Sequence, residues 1–240
     1  VDLNISAAIS NTAGITKQGL GLMELSGTAS NSFTGITTVT DGTLRLNKTG
    51  AFAIGTGSLV VGEATTAAPT ATTTYGVGVD RLEVMSSGQF NGGALTVNAT
   101  GHADFNGSDA ALGAITVVGS LDTEGGTVSA SGLVTVTGGQ VNTGAGSLVL
   151  GNNFTTGNAN RVANILGNID LGGQTRTFTI GTAAGTAINS MISANISNGD
   201  VNLAGTGVVV LSGNNTFANL TQSAANFLMV GSDTALGTGN

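Results

Sequence analysis

Short extended segments recur about every 20 residues in the middle of this sequence. The triplets Leu95–Val97, Ile115–Val117 and Val134–Val136 each place two apolar residues around a central Thr. A second extended segment follows each triplet, in the order Ala103–Phe105, Leu121–Thr123 and Val141–Thr143. Gly, Asn and Ser separate the segments, which is typical of strands joined by turns. An interval of this length predicts a β-solenoid in which each coil supplies two or three strands.

The composition agrees with stacked coils. Gly contributes 40 of the 240 residues, and charged residues only 8%, where about a quarter is usual. Glycine adopts the positive φ that sharp corners require. Like charges would lie above one another in successive coils and repel, whereas Thr and Asn can form hydrogen-bonded ladders. We therefore predict an all-β, parallel β-helix (β-solenoid) with coils of about 20 residues, on the order of a dozen in all. Val117 and Val136 should point inward.

A longer repeat relates the two ends of the sequence. Similar segments stand about 185 residues apart, and they pair Ile5–Asn11 with Ile192–Asn198, Gly19–Gly27 with Gly205–Gly213, and Ala53–Gly57 with Ala235–Gly239. Residues 1–58 thus form a pseudo-repeat with residues 188–240. We expect residues 1–240 to form a single solenoid that is a segment of a longer repeat array.

Residues 62–80 break this periodicity. Thr and Ala are crowded there around the only Pro, Pro69, and the only Tyr, Tyr75. We predict a loop excursion from one corner of the solenoid. It is either a tolerated insertion or a binding loop, because binding residues concentrate on loops carried by rigid scaffolds.

The charge excludes two classes of partner. The formal net charge is -7 and the chain has only six Lys and Arg residues, so no basic surface is expected for nucleic acid or anionic lipid. The longest purely apolar run, Val208–Leu211, is far shorter than the ~20 residues of a spanning helix. We expect no membrane insertion. The opening residues also lack the basic start and apolar run of a signal peptide.

Residues that could carry chemistry are few. His102 is the only imidazole, and strand alternation would place Asp104 on the same face. Two ligands are fewer than the three or four of a zinc site. Two acidic groupings, Asp122 with Glu124 and Asp80 with Arg81 and Glu83, could in principle form a polysaccharide-cleaving pair. We interpret them as solvated outward positions, and we predict no catalytic, cofactor-binding or metal site.

Two stretches resemble a known repeat. Gly205–Phe217, and Gly19–Gly27 leading through Phe33–Leu46, are similar to the autotransporter-associated β-strand repeat. Gly173–Gly181 resembles the segment that often precedes it. The resemblance implies a passenger region of a bacterial surface protein, folded as a right-handed parallel β-helix and exported to the cell exterior.

The leading hypothesis is therefore a non-catalytic, extracellular rod at the cell surface, structural or adhesive in role. Its expected partners are flanking β-helix coils or further copies of itself, bound through open solenoid ends, and a host or neighbouring-cell surface. Two alternatives stay open. One is a filament subunit that stacks end to end, and the other is a carbohydrate-active β-helix enzyme.

Overall fold

The computed structural model describes residues 1–64, 80–157, 160–182 and 184–238, and within these ranges the chain forms strands and turns but no helix. Parallel strands stack as a solenoid of about 10 turns, ~21 residues apart. The strands are Leu3–Ile5 (β1), Thr16–Lys17 (β2), Leu22–Leu25 (β3), Thr37–Val39 (β4), Gly42–Leu46 (β5), Leu59–Val61 (β6), Asp80–Val84 (β7), Leu95–Val97 (β8), Gly101–Asp104 (β9), Ala110–Leu112 (β10), Ile115–Val117 (β11), Ser120–Asp122 (β12), Thr127–Ala130 (β13), Val134–Val136 (β14), Gln140–Asn142 (β15), Ser147–Leu150 (β16), Phe154–Thr156 (β17), Ala163–Leu166 (β18), Asn168–Ile180 (β19), Ser190–Ile192 (β20), Asn195–Gly205 (β21), Val208–Leu211 (β22), Leu220–Gln222 (β23) and Phe227–Val230 (β24).

Three faces surround the core. The first face is an 11-stranded sheet in the order β1-β3-β5-β7-β9-β12-β15-β18-β20-β22-β24. The second face contains β2, β4, β6, β8, β11, β14 and β17, and the third contains β10, β13 and β16. The long strands β19 and β21 turn the corner between the third and second faces, which therefore join into one 13-stranded sheet.

The predicted repeat is confirmed residue by residue. Leu95, Ile115 and Val134 are register partners on the second face. Ala103, Leu121 and Val141 are partners in the same way on the first. The solenoid has about ten turns instead of a dozen, because some coils are longer than 20 residues. The register partners Arg45 and Glu83, for example, lie 38 residues apart.

Side-chain alternation separates a dry interior from a polar exterior. Val117 and Val136 are completely buried, as predicted. The Thr between the apolar residues of each triplet points outward, and its register partners in successive coils form a ladder. The ladder consists of Thr96, Thr116, Thr135, Thr155 and Thr179. Phe154 and Phe178 pack inside the same face as a tilted pair, with ring centroids 5.0 Å apart. Each coil thus contributes one layer to a continuous apolar core.

Most of the predicted loop at 62–80 lies outside the described residues. Its first residue, Gly62, donates its N–H to the carbonyl of Val39. Its last residue, Asp80, already belongs to β7.

Candidate functional site

Several of the charged residues singled out from the sequence lie on the outer side of the first face, together with Glu24 and Arg45. Arg45, Glu83, Asp104 and Asp122 are register partners in four consecutive strands of that face. A neighbouring line of register partners contains Arg81, His102 and Ser120. We call the ionisable side chains here the charged column, which consists of Glu24, Arg45, Arg81, Glu83, His102, Asp104 and Asp122. His102 and Asp104 do point to the same side of their strand, as alternation predicts.

Ion pairs connect the charged column from coil to coil. Arg45 Nη2 lies 2.8 Å from Glu83 Oε2. Arg81 contacts two carboxylates, with Nε 3.2 Å from Glu83 Oε1 and Nη2 2.6 Å from Asp104 Oδ2. Arg45 Nη1 also lies 4.0 Å from Glu24 Oε2. The two arginines thus contact carboxylates that belong to three different coils.

The charged column also places like charges above one another in successive coils, although the low charge content predicts that the fold avoids this. Glu83, Asp104 and Asp122 follow one another directly in the ladder. Arg81 bridges the first two of them, because its guanidinium contacts both. His102 contacts the third. Arg81 therefore offsets the repulsion between Glu83 and Asp104.

The imidazole of His102 is arranged differently from that of a catalytic triad. In a Ser–His–Asp triad the imidazole lies between the hydroxyl and the carboxylate. Here the carboxylate lies in the middle, because Asp122 Oδ2 is 2.9 Å from His102 Nε2 and 3.2 Å from the Oγ of Ser120. The arrangement holds two side chains on one carboxylate, so the hydroxyl of Ser120 donates to Asp122 and not to the imidazole.

The environment of Asp122 keeps its carboxylate ionised. Burial raises the pKa of Asp122. The hydrogen bond and the charge of His102 lower it, and hydrogen bonds from Ser120 and Asn142 lower it further, so that together they outweigh burial. The pKa of Asp122 therefore lies below its ordinary value.

Asp80 corrects the expectation of a solvated outward carboxylate. It points inward and is 2% exposed, because its register partners on either side, Gly42 and Gly101, have no side chains to fill the corner. Thr100 donates its hydroxyl to Oδ2, whereas Oδ1 has no hydrogen-bond partner among the described residues. Burial raises the pKa of Asp80, and the charges of Asp41 and Glu63 add to the increase, while the Thr100 hydrogen bond opposes it.

The basic residues outside the charged column bind main-chain carbonyls. Lys48 is completely buried, and its Nζ lies 2.7 Å from the carbonyl oxygen of Ser26. Burial lowers the pKa of this amine. The other three basic residues follow the same pattern: Lys17 donates to the carbonyl of Asp41, Arg161 to that of Val118, and Arg176 to those of Leu171 and Gly151. All six basic residues thus make contacts within the solenoid.

The described residues form a surface groove but no cluster of metal ligands. No group of three or more His, Asp or Glu side chains there could hold a metal ion. A surface groove of about 560 Å³ runs beside Phe52 and Phe90 toward β10 and β13. Asp109 is the one ionisable residue in its lining, and its Oδ1 accepts the N–H of Thr127. Glycoside hydrolysis needs two carboxyl groups.

Comparison with known proteins identifies the two resembling stretches. Residues 15–46 and 202–222 match the model of the passenger-associated-transport-repeat. They overlap Gly19–Leu46 and Gly205–Phe217, so the resemblance to an autotransporter passenger repeat is confirmed. No curated protein and no solved structure matches the chain. Within the described ranges, none of the secondary structure is a helix of the length and apolarity that a membrane crossing needs.

Proposed function

We propose that this chain, a β-solenoid of the autotransporter-passenger type, is a non-catalytic rod at the exterior of a bacterial cell, where it spaces or joins other parts of a surface protein. The passenger-associated-transport-repeat in two segments and the parallel solenoid support the passenger type. We propose the location outside the cell and the mechanical role in addition to this type.

The observation that carries the proposal is how the reactive side chains are used. The imidazole binds a carboxylate whose second contact is Ser120. Arg45 and Arg81 neutralise stacked acids, and the other four basic residues bind carbonyls. Groups that an enzyme would turn toward a substrate are here turned toward neighbouring coils.

A rod is the mechanical consequence of this packing. About 10 turns at a strand spacing of about 4.8 Å give a length of about 50 Å. Each coil is bonded to the next on two or three faces, so bending requires several ladders to open together. Such a stack resists proteolysis because cleavage needs local opening.

Surface labelling of intact cells tests the location. An antibody raised against the purified chain should bind unbroken cells that express the parent protein, and added protease should remove that signal. Binding only after the cells are broken would refute the exterior location. A cytoplasmic marker protein in the same cells controls for leakage.

A depolymerisation assay tests the absence of catalysis. The purified chain and its Asp104→Ala variant should leave the length of surface polysaccharides and pectin-like polymers unchanged. Chain shortening by the parent, lost in the variant, would favour a carbohydrate-active enzyme instead. The Phe52→Ala variant examines the groove in the same assay.

End-to-end association is the second candidate, and the exposed side chains of the outermost coils favour it. Leu3 and Leu20 are 52% and 77% exposed at one end, and Phe227 and Val230 are 70% and 55% exposed at the other. Flanking coils or further copies of the chain would cover them. Light scattering and negative-stain electron microscopy decide between separate rods and uniform fibres, and a monomer mass at high concentration would exclude self-stacking.

A further inference from the structure

Two buried asparagines make the same contacts at opposite ends of the solenoid. Asn31 Oδ1 accepts the N–H of Ile9 at 2.9 Å, and its Nδ2 donates to the carbonyl of Ala53 at 2.7 Å. Asn215 repeats both bonds: its Oδ1 accepts from Ile196 at 2.7 Å, and its Nδ2 donates to Ala235 at 2.6 Å. Both asparagines are 2% exposed. Each amide therefore reaches one coil before its own and one coil after it.

The surroundings of the two amides also match. The next residue donates its backbone N–H to the same preceding coil, from Ser32 to Ile9 and from Thr216 to Ile196, both at 2.9 Å. The residue after that is a completely buried phenylalanine in each case, Phe33 or Phe217.

In the following coil, a glycine lies directly against the main chain of this phenylalanine. A Cβ on Gly55 would stand 2.0 Å from the carbonyl oxygen of Phe33. A Cβ on Gly237 would likewise stand 2.4 Å from that of Phe217. Only glycine allows the two main chains to approach so closely.

We infer that the matched repeat carries a register clamp, in which one buried asparagine fixes the coil before it and the coil after it; the inference deepens the proposed structural role. Asn31 lies within the matched residues 15–46, and Asn215 within 202–222. The groups that they bind lie outside those segments. The repeat thus works only between two further coils, and its asparagine is a positioning residue for the stack.

Backbone ladders alone do not fix the register in which successive coils stack. Ladder hydrogen bonds form equally well after a strand slips, but a one-residue slip turns every side chain to the opposite face. A buried amide that loses its partners is costly. Because the carbonyl and the amino group of one side chain must both find backbone partners, one register of three coils is favoured over its neighbours. A single buried Asn sets the register of coiled coils for the same reason.

Gln89 is a buried amide whose side chain contacts only one neighbouring coil. Its Oε1 accepts the N–H of Lys48 at 2.9 Å, and its Nε2 donates to the carbonyl of the same residue at 2.8 Å. Both bonds go to one residue of one neighbouring coil. Gln89 therefore pins a pair of coils, whereas Asn31 and Asn215 each span three.

Residue-resolved hydrogen exchange on the full chain tests the inference with graded variants. Asn31→Ala removes both bonds, and we expect exchange of the Ile9 amide at least tenfold faster, together with faster exchange of the Ala53 and Ile54 amides. Asn31→Asp keeps an acceptor, and it loses the donor at a pH where its carboxyl is ionised, which is where the exchange is measured. It should leave Ile9 protected while the Ala53 side opens, a split that a general loss of packing would not produce. Asn152→Ala, at an exposed position, is the matched control and should change neither coil.

The second copy makes the test independent of any one variant's folding. Asn215→Asp should leave Ile196 protected and open the Ala235 side. Uniform acceleration across the chain, or changes confined to the asparagine's own coil, would overturn the clamp. Exchange is measured on the purified protein, so this result does not depend on whether the chain lies at the cell surface.

Discussion

His102 and Asp122 meet across neighbouring coils of the first face, with Nε2 2.9 Å from Oδ2. The same carboxylate oxygen accepts the hydroxyl of Ser120. Since the pKa of Asp122 is lowered in the folded chain, folding favours its ionised form. The resulting stability is present above the unfolded-state pKa, close to 4, and is lost as the pH falls through the lower folded-state pKa.

Replacing this carboxylate should flatten the acid limb of the stability profile. Asp122→Asn is expected to lower the free energy of unfolding by about 1 kcal/mol at pH 7. Between neutral and strongly acidic pH, the free energy of unfolding of the variant should then fall by less than that of the parent. Urea denaturation at a series of pH values measures both effects. Asp233→Asn, at an exposed position, is the control, and an acid limb of unchanged slope in Asp122→Asn would contradict the assignment.

Asp80 should give the opposite pH dependence of stability. Its pKa is raised by burial and by Asp41 and Glu63, so the fold favours the protonated form. Its contribution to stability falls as the pH rises from the unfolded-state pKa through the folded-state pKa. Asp80→Asn should therefore raise the melting temperature at pH 7, and this gain should vanish at pH 3. A lower melting temperature at pH 7 would show that the Thr100 hydrogen bond outweighs burial and that the fold favours the ionised form.

The strand faces can be tested within a single triplet. Val136 is completely buried, so Val136→Asp should cost several kcal/mol of unfolding free energy, because it places an unpaired charge in the core. Thr135, the preceding residue, points outward, and Thr135→Asp should cost about 1 kcal/mol or less. Chemical denaturation of the pair gives the comparison. Equal losses would mean that the faces are assigned wrongly.

The columns of the core were predictable because they depend on local alternation. Val117 and Val136 each follow a Thr in triplets about 20 residues apart, and this pattern fixes both their face and their stacking. The resemblance of Gly205–Phe217 to a passenger repeat was readable for a similar reason. Its residues are contiguous in the sequence.

Contacts between coils were not predictable in the same way. The sequence places Asp104 nearest to His102, yet the imidazole binds Asp122 and Asp104 binds Arg81. The partner depends on how many residues each coil contains, and that number varies. Asp80 was assigned outward for a related reason, since the room that admits it comes from Gly42 and Gly101 in other coils.

Close stacking of glycines gives the sharpest steric prediction. A Cβ on Gly146 would stand 2.1 Å from the carbonyl oxygen of Gly126 in the preceding coil. The oxygen is a main-chain atom and the Cβ would be bonded directly to the main chain, so neither can move away without opening the ladder. Gly146→Ala should therefore destabilise by several kcal/mol, in the range of severe core defects.

Gly88 supplies the matched comparison, because it separates contact from backbone strain. Its φ is +76°, and a Cβ there would meet nothing within 4 Å. Gly88→Ala should cost only the left-handed backbone penalty of about 1–2 kcal/mol, and Gly88→Asn should cost less, because Asn tolerates this region. Thermal and urea unfolding of the three variants should rank Gly146→Ala as the least stable. If Gly146→Ala and Gly88→Ala are equally stable, the coils at Gly126 and Gly146 are not in main-chain contact.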